Sequence, residues 1–291
     1  MIIPCVDIVS YLDEQLKQQV VRLKENNISP KLVTILLGQA PEQLSFVNIK
    51  QRKAEMIGVD FEFINLSHVP PFKEFLSELQ QIVQRPETTG VIIQHPLPQN
   101  YDLERMYSCI PSSKEIEGHM TNSFFQFPLS LSVLSGLKYI FSNIKTPENA
   151  VVDFQNDIPF FKSVLQNKNI VIAGKGQTGG KPIGKSLAEI GVPFTVIDSK
   201  TMNPDAIFRQ ADIIITATGR QVITSNNIKP GVILLNVGLR KENDMLKGDL
   251  DEKSVDGIAA WYNLTPRGFG PLDVSYLYKN LLQSASLNLS R

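Results

Sequence analysis

At 291 residues, 42% of them hydrophobic, the chain is long enough for two domains with real cores. Its 29 lysines and arginines balance 29 aspartates and glutamates, and a net charge of zero argues against a general nucleic-acid or membrane-surface binder. Cys5 and Cys109 match no metal-ligand spacing or disulfide framework, Met1-Ile-Ile-Pro lacks the basic start and apolar stretch of a signal peptide, and no apolar run approaches the ~20 residues that span a bilayer, so a protein of cytoplasmic type without a metal is expected.

Residues 6–25 place Ile8, Leu12, Leu16, Val20 and Leu23 at helical spacing and predict an amphipathic helix. Lys31–Leu37 (KLVTILL) reads as a buried strand, 38–43 as a turn, and Ser45–Ile57 as a helix stopped by Gly58. Asp60–Leu66 reads as a strand, Phe72–Val83 as a helix and Gly90–Gln94 as a strand. Strands that alternate with helices are the pattern of a parallel sheet covered on both faces. Residues 123–166 hold two apolar helical stretches, around Leu129–Phe141 and Ala150–Leu165, and are expected to include the interdomain connection. The alternation returns with strand Asn169–Ala173, helix Ile183–Ile190 and strand Pro193–Ile197. Helix Asp205–Gln210 follows, then strands Asp212–Thr216 and Val232–Val237, a short strand around Gly257–Ala260, and a C-terminal helix over 271–288.

The stretch 168–198 carries the strongest single signal. Gly174, Gly176 and Gly179 fit G-x-G-x-x-G between two strands, and Asp198 ends the second strand. In a dinucleotide-binding unit the first glycine makes the tight turn, the second lets the backbone reach the pyrophosphate, and the third lets the helix pack on the strand. The helix N-terminus offers free N–H groups to the phosphates. The two strands and the terminal acid favour a nicotinamide-type cofactor over a glycine turn without a ligand.

Phe46, Lys50 and Lys53 lie at i, i+4 and i+7 and share one helix face. An apolar neighbour can desolvate a lysine and lower its pKa from ~10.4, toward a value suited to proton transfer. On spacing alone, a solvated basic face with Phe46 as a core anchor is the stronger reading. GVIIQHPLP (90–98) is a buried strand that ends in a stiff loop, and Gln94 and His95 lie beyond its carboxyl end, where ligands sit in open α/β sheets. They are either a rigid anchor for a planar, amide-bearing ligand or a turn that satisfies its own backbone; a lone His95 is more often structural. KEIEG (114–118) offers carboxylates before a glycine, and LTPRGFGP (264–271) is a loop that lines a cleft or merely connects elements.

Together, and in this order, these pieces resemble the methylenetetrahydrofolate dehydrogenase/methenyltetrahydrofolate cyclohydrolase family over nearly the whole chain. TILLGQAPEQLSFVNIKQRKAEMIGV is similar to the family's strand, turn and Y-V-x-x-K-x-K helix, and GVIIQHPLP to its G-I-x-V-Q-x-P-L-P segment. KEIEG falls on K-D-V-D-G, Thr146-Pro147 on a T-P before a helix, and GKGQTGGKP on G-R-S-x-x-V-G-x-P. ADIIITATG, IKPGVILLNVG and the run Pro266–Pro271 complete the series.

The resemblance implies an α/β protein of two domains. Residues 1–144, completed by the helix 268–291, would form an α/β folate-binding catalytic domain, and 145–267 a Rossmann-like parallel-sheet cofactor domain. The implied chemistry is oxidation of 5,10-methylenetetrahydrofolate with NAD(P), then hydrolysis to 10-formyltetrahydrofolate. Lys50 matches the lysine of cyclohydrolase proton transfer and Gln94 the glutamine that helps keep it neutral. Phe46, Glu117, Pro266, Gly268 and Pro271 fall on folate-binding positions, with Glu117 on the aspartate that holds the pterin. Gly174, Lys175, Gly176, Gly179, Gly180, Asp198, Ser199, Lys200, Thr218, Gly219, Gly238 and Leu239 fall on cofactor-binding positions. A homodimer is implied as well.

The departures are specific. Phe46 stands where the family has tyrosine, Glu117 is one methylene longer than aspartate, Lys175 and Gly176 replace Arg-Ser, Asn236 replaces an aspartate, and Arg267 and Asp273 interrupt the final glycine-rich run. The hydrolytic half depends more on polar groups near Lys50 than hydride transfer does. A dehydrogenase without the cyclohydrolase and a folate- or nucleotide-binding protein without turnover are therefore alternatives. Another Rossmann dehydrogenase, such as one resembling shikimate dehydrogenase, is a third, and the Lys50/Gln94 pair speaks against it. Asp198 favours NAD by repelling a 2′-phosphate. Lys175, Ser199 and Lys200 are close enough in sequence to bind that phosphate, and most of the family uses NADP, so NADP is expected with NAD close behind.

Overall fold

Strands and helices run from residue 5 to residue 287 in the computed structural model of the chain, which describes residues 1–120 and 122–287, and they alternate over 5–108 and again over 154–216. Two compact units result: one holds Leu12–Pro128 and the chain from Val274 on, the other Met1–Tyr11 and Leu129–Asp273. The divide at Pro128 falls ahead of the 144/145 boundary expected from the sequence.

α1 (Cys5–Glu25) opens the chain and is followed by β1 (Lys31–Leu37), α2 (Pro41–Ile57), β2 (Asp60–Leu66), α3 (Phe72–Gln84), β3 (Gly90–Ile93) and α4 (Leu103–Ser108). The three strands form one parallel sheet in the order β2-β1-β3. Six of the seven residues of central β1 are buried, as a continuous apolar run in a sheet covered on both faces requires. α2 begins at Pro41, inside the expected 38–43 turn, because a proline at the first helical position has no N–H to satisfy and a φ already suited to the helix. It ends where Gly58 adopts φ 85° and donates its N–H to Ala54 O. The expected last residue of β3, Gln94, is outside the strand, yet its N–H still donates to Ile35 O at 2.8 Å. α4 was not expected; its signal is Asp102, which caps the helix by accepting from the Arg105 N–H.

The second unit starts with α5 (Pro128–Phe141), α6 (Pro147–Ala150) and α7 (Phe154–Leu165). The expected single helix over 150–165 is broken because Val151 and Asp153 are extended. Ser135 donates to Ala150 O at 2.7 Å, and Lys138 pairs with Asp157 at 2.6 Å, which ties α5 to α6 and α7. Then come β4 (Ile170–Ala173), α8 (Gly180–Ile190), β5 (Thr195–Ile197), α9 (Pro204–Gln210), β6 (Ile213–Thr216) and β7 (Ile233–Asn236). β8 (Leu239–Glu242), β9 (Met245–Gly248), α10 (Glu252–Val255) and β10 (Trp261–Tyr262) complete the unit. Five parallel strands are ordered β10-β7-β6-β4-β5. The expected strand around 257–260 lies slightly later, at Trp261–Tyr262, because Gly257 turns at φ 76° and pairing starts only when the Ala260 N–H reaches Val232 O. The hairpin β8–β9 was also not expected. Its turn uses Asn243 and Asp244 at φ 50° and 60°, residues that tolerate the left-handed region, but the charged flanks hide the strand pattern.

The last helix, α11 (Phe269–Leu287), begins in the second unit and continues into the first. The expected residues 288–291 lie outside the described residues. In the first unit, Asn280 donates to Ile116 O and Gln126 O at 2.8 and 3.0 Å, and Ser284 to Thr89 O and Ser113 O at 3.0 and 2.6 Å. A Cβ added to Gly90 would lie 2.7 Å from Leu281 Cδ1, so α11 packs closely on this strand and a larger residue would displace the Leu281 side chain.

Lys53 serves this packing. Its ammonium donates to Asp13 and, at 3.0 Å, to Ser275, and the Lys53 and Asp13 side chains are only 11% and 10% exposed. Removing one partner of a buried pair leaves the other charge uncompensated. Lys53→Met is therefore expected to destabilise the chain by about 3–5 kcal/mol, read as a lower urea midpoint. Among the described residues, no helix is long and apolar enough to cross a membrane.

Candidate active site

In the three-stranded sheet, β1 pairs with β2 on one side and β3 on the other. A strand order that reverses in this way leaves a crevice beyond the carboxyl ends, where ligands bind. Lys50 and Gln94 meet there: Lys50 Nζ donates to Gln94 Oε1 at 2.8 Å. The Gln94 side chain is buried, and its Nε2 donates to His95 O at 3.2 Å. Gln43, not singled out in the sequence, is buried on the same helix and donates to Gln94 O and Pro96 O at 3.4 and 3.0 Å, which fixes the loop against α2. Tyr278 OH donates to Lys50 O at 2.7 Å.

The shared helix face resolves into three different roles. Lys50 points to the glutamine and Lys53 to buried Asp13, while Phe46 is 45% exposed. Phe46 is not the core anchor that helical spacing alone suggested. An amide oxygen accepts from an amine and an ammonium alike. The Lys50–Gln94 contact therefore survives loss of a proton.

Glu117 lies in a cluster of rings. His119 Nε2 is 3.6 Å from Glu117 Oε2, and the His119 ring stacks on Tyr107 (centroids 4.5 Å) and on His95 (5.2 Å). His95 Nε2 and Tyr107 OH share a 2.8 Å hydrogen bond. Burial alone would raise the Glu117 carboxyl, but His119, Lys50 and His95 together hold it below the usual carboxylate range. His95 is lowered, first by burial and then by the charge of His119, so it tends toward the neutral form. His95 thus holds a ring partner and a phenol rather than standing alone in a turn. His119 and Tyr107 had no sequence signal, because lone aromatic positions in a loop and a short helix have no period.

In the second unit the strand order reverses at β4, which pairs with β5 on one side and β6 on the other. A cavity of about 660 Å³ opens beyond those strand ends, a size typical of small-molecule sites. It is lined by Gly174, Lys175 and Gly176 after β4, by Asp198 and Ser199 after β5, and by Thr218 and Arg220 after β6. Gly174 has φ 104°, and a Cβ there would sit 2.4 Å from Ala217 O. Gly176 faces open space. α8 starts at Gly180, ahead of the expected Ile183, and Gly179 is its N-cap. The close helix–strand contact is made by Gly180, where a Cβ would lie 1.8 Å from Gly174 O, and not by Gly179. Gly180→Ala is thus expected to push α8 off the glycine turn, destabilising the unit by about 1–3 kcal/mol and weakening NAD(P) binding, measured by cofactor fluorescence titration.

At the rim, Lys175 Nζ is 2.5 Å from Asp198 Oδ2. Asp198 Oδ1 accepts from the Lys200 N–H at 2.9 Å and from Thr201 at 3.4 Å. The hydrogen bond from Lys175, then that from Lys200, holds the Asp198 carboxyl below its usual range. The pocket geometry suits a dinucleotide: a glycine turn whose Gly174 and Gly180 leave no room for side chains, a helix N-terminus with no acidic residue in its first turn, and a lining with two cations, Lys175 and Arg220, and two acids, Asp198 and Asp205.

Of the expected cofactor positions, Gly179, Gly180, Lys200, Gly219, Gly238 and Leu239 do not line this cavity. Gly179 and Gly180 shape the turn, and the Lys200 N–H holds Asp198. Gly238 packs against buried Asp249, which accepts from the Thr218 N–H at 2.7 Å and whose carboxyl is raised by burial. Leu239 begins the exposed hairpin. Asn236 is buried at the centre of a network: its Oδ1 accepts from the Asp249 N–H at 2.6 Å and from Thr216 at 3.2 Å, and its Nδ2 donates to Thr265 at 2.9 Å and Gly238 O at 3.2 Å. A carboxylate there would face the Gly238 carbonyl, so the amide fits this chain. Of the remaining substrate positions, Pro266 follows a cis peptide, Gly268 packs on Asn263, and Pro271 lies in the first turn of α11.

Residues 3–117 match the family model described as tetrahydrofolate dehydrogenase/cyclohydrolase, catalytic domain, and residues 155–289 match its NAD(P)-binding domain. The bifunctional protein FolD of Lysinibacillus sphaericus is 30% identical over 275 residues, 94% of this chain and 93% of that protein. Among solved structures, the bifunctional FolD enzyme of Campylobacter jejuni superposes with a TM-score of 0.85 at 24% identity, covering 99% of each chain. The Trypanosoma brucei methylenetetrahydrofolate dehydrogenase-cyclohydrolase, complexed with NADP and an inhibitor, gives 0.77 at 22% identity over 98% of this chain and 96% of that one. With both domains matched in order, and one relative similar along almost its whole length, the chain belongs to the tetrahydrofolate dehydrogenase/cyclohydrolase family.

Proposed function

We propose that the chain oxidises 5,10-methylenetetrahydrofolate to 5,10-methenyltetrahydrofolate with NAD(P) and then hydrolyses the product to 10-formyltetrahydrofolate. In the first step the bridge carbon gives up a hydride, which the nicotinamide accepts when bound, and a cationic methenyl bridge remains. In the second, water adds to that carbon and loses a proton, then one C–N bond opens as its nitrogen gains a proton and the new hydroxyl gives up its own to become the formyl C=O, so that one proton is released overall. Lys50 is the group proposed to take the first proton and return the second, with Gln94 holding Nζ in place through both states. The observation that carries this reading is the 2.8 Å Lys50–Gln94 contact beyond the end of β3.

Glu117 is proposed to hold the pterin edge by accepting its N–H groups, and Phe46 to cover the ring; Pro266, Gly268 and Pro271 are assigned to the folate by family resemblance. NADP is the proposed cofactor, with NAD also used. Lys175 and Arg220 at the cavity supply positive charge for a 2′-phosphate, and Asp198 opposes it. A cytoplasmic homodimer is the assembly and setting that the resemblance supports; sedimentation of the full chain measures the first.

Initial rates of methylenetetrahydrofolate oxidation with NAD and with NADP, recorded together with methenyl absorbance, test the reading. NAD(P)H should form with little methenyl build-up. Steady methenyl accumulation would show the hydrolytic half missing, and no NAD(P)H would remove the proposal.

A further inference from the structure

Glu117, a longer acid where the family motif has aspartate, is followed two residues on by the imidazole of His119. Their geometry is constrained from several sides. His119 is fixed by Tyr107 on α4 and by His95 on the loop after β3, and Phe127 meets its ring edge-on at 5.1 Å. The Glu117 backbone is fixed too, since its N–H donates to Glu115 Oε1 at 3.0 Å and Gly118 follows at φ 82°. An extra methylene gives Glu117 a torsion that aspartate lacks, and with it more ways to point. His119 Nε2, 3.6 Å from Oε2, is the group placed to select one of them.

We propose that His119 is a positioning residue that holds the Glu117 carboxylate in its folate-binding direction, and that the proton on His119 makes substrate affinity depend on pH. The proposal rests on the assignment of Glu117 to the pterin made above. The charged and titratable groups around the carboxylate are His119, Lys50 and His95, with Tyr107 and Glu115 beside them. Tyr107 is raised far above its ordinary range, first by burial and then by Glu117 and Glu115, so it stays a neutral phenol. Lys50 and His95 add positive charge but have their own partners in Gln94 and Tyr107. With its proton, His119 makes a charge-assisted contact to Glu117; without it, the contact weakens and the longer side chain regains its torsional freedom.

The sign follows. As pH rises through the His119 titration, the KM for methylenetetrahydrofolate should rise, by about five- to tenfold, and the effect should fall on KM rather than kcat. His119→Phe keeps a ring in the stack and should give a raised KM that no longer changes with pH in that range. His119→Gln, which keeps a donor without a charge, should fall between and guards against a folding defect in the first variant.

The chain has three histidines, His68, His95 and His119, so imidazole NMR resolves each one in the full chain. The titration midpoint of His119 should drop in Glu117→Gln. A midpoint unmoved by Glu117→Gln, or a KM in His119→Phe that keeps the wild-type pH dependence, overturns the proposal. If the two residues are coupled by NMR but Glu117→Gln leaves the folate KM unchanged, the assignment of Glu117 to the pterin fails, and the pair is architectural.

Discussion

Replacing Lys50 by methionine is expected to cut hydrolysis of 5,10-methenyltetrahydrofolate by roughly two to four orders of magnitude, the range by which a positioned acid–base group accelerates a reaction. Methionine has nearly the same length and apolar stem but can neither donate nor accept the proton. The backbone bond from Tyr278 OH to Lys50 O does not involve the side chain and should keep α2 in place. Cofactor binding, formed by residues of the second unit, should be preserved, and methenyl product should accumulate during oxidation of the methylene substrate. Loss of methenyl absorbance by the purified variant measures the effect directly; hydrolysis at the wild-type rate would disprove the role of Lys50. A companion change, Gln94→Glu, puts a carboxylate at the 2.8 Å contact. It should also depress hydrolysis, because the ion pair holds the lysine in its charged form.

Asp198→Ser is expected to move the NADP-to-NAD preference toward NADP, on the order of tenfold at low salt and less at high salt, where surface charges are screened. The carboxylate does two things at the cavity rim: it presents negative charge to the proposed 2′-phosphate site, and it occupies Lys175 at 2.5 Å. Serine removes the negative charge and releases Lys175. The Asp198 carboxyl is held below its usual range by Lys175, so it stays ionised throughout the neutral range and the wild-type preference should not vary there. Ratios of kcat/KM for the two cofactors give the answer; an unchanged ratio would mean that the 2′-position is read elsewhere in the cavity.

Elements with a strong period were legible in the sequence. β1 and β2 fall where KLVTILL and DFEFINL predict, and α3 starts at the expected Phe72 and runs one residue past the expected Val83. Short elements without a period were not. α4 rests on one capping aspartate, and β8–β9 on two left-handed turn residues between charged flanks. The glycine motif pointed to the right turn but shifted the roles by one position. Which glycine meets the opposing carbonyl depends on how α8 enters the sheet, and a spacing rule does not contain that geometry. Lys50 and Gln94 were singled out through their motif context, not through spacing, and they lie in contact. Periodicity set Lys50 beside Lys53, and only the tertiary partners distinguish them: Gln94 in one case, Asp13 and Ser275 in the other. His119 was invisible because its meaning lies in Tyr107, His95 and Glu117, which come from three separate segments.

Ser284 and Asn280 close hydrogen bonds to carbonyls at Thr89, Ser113, Ile116 and Gln126, and Leu281 covers Gly90. During synthesis these carbonyls leave the ribosome long before their partners exist. The N-terminal sheet therefore waits, with one side uncovered, until the last turns of the chain have been translated. Domains of a nascent chain usually fold in the order in which they emerge. Here the first unit to be made is the last that can be finished, and a ribosome that stalls anywhere before Ser284 releases a chain whose first sheet lacks its final layer.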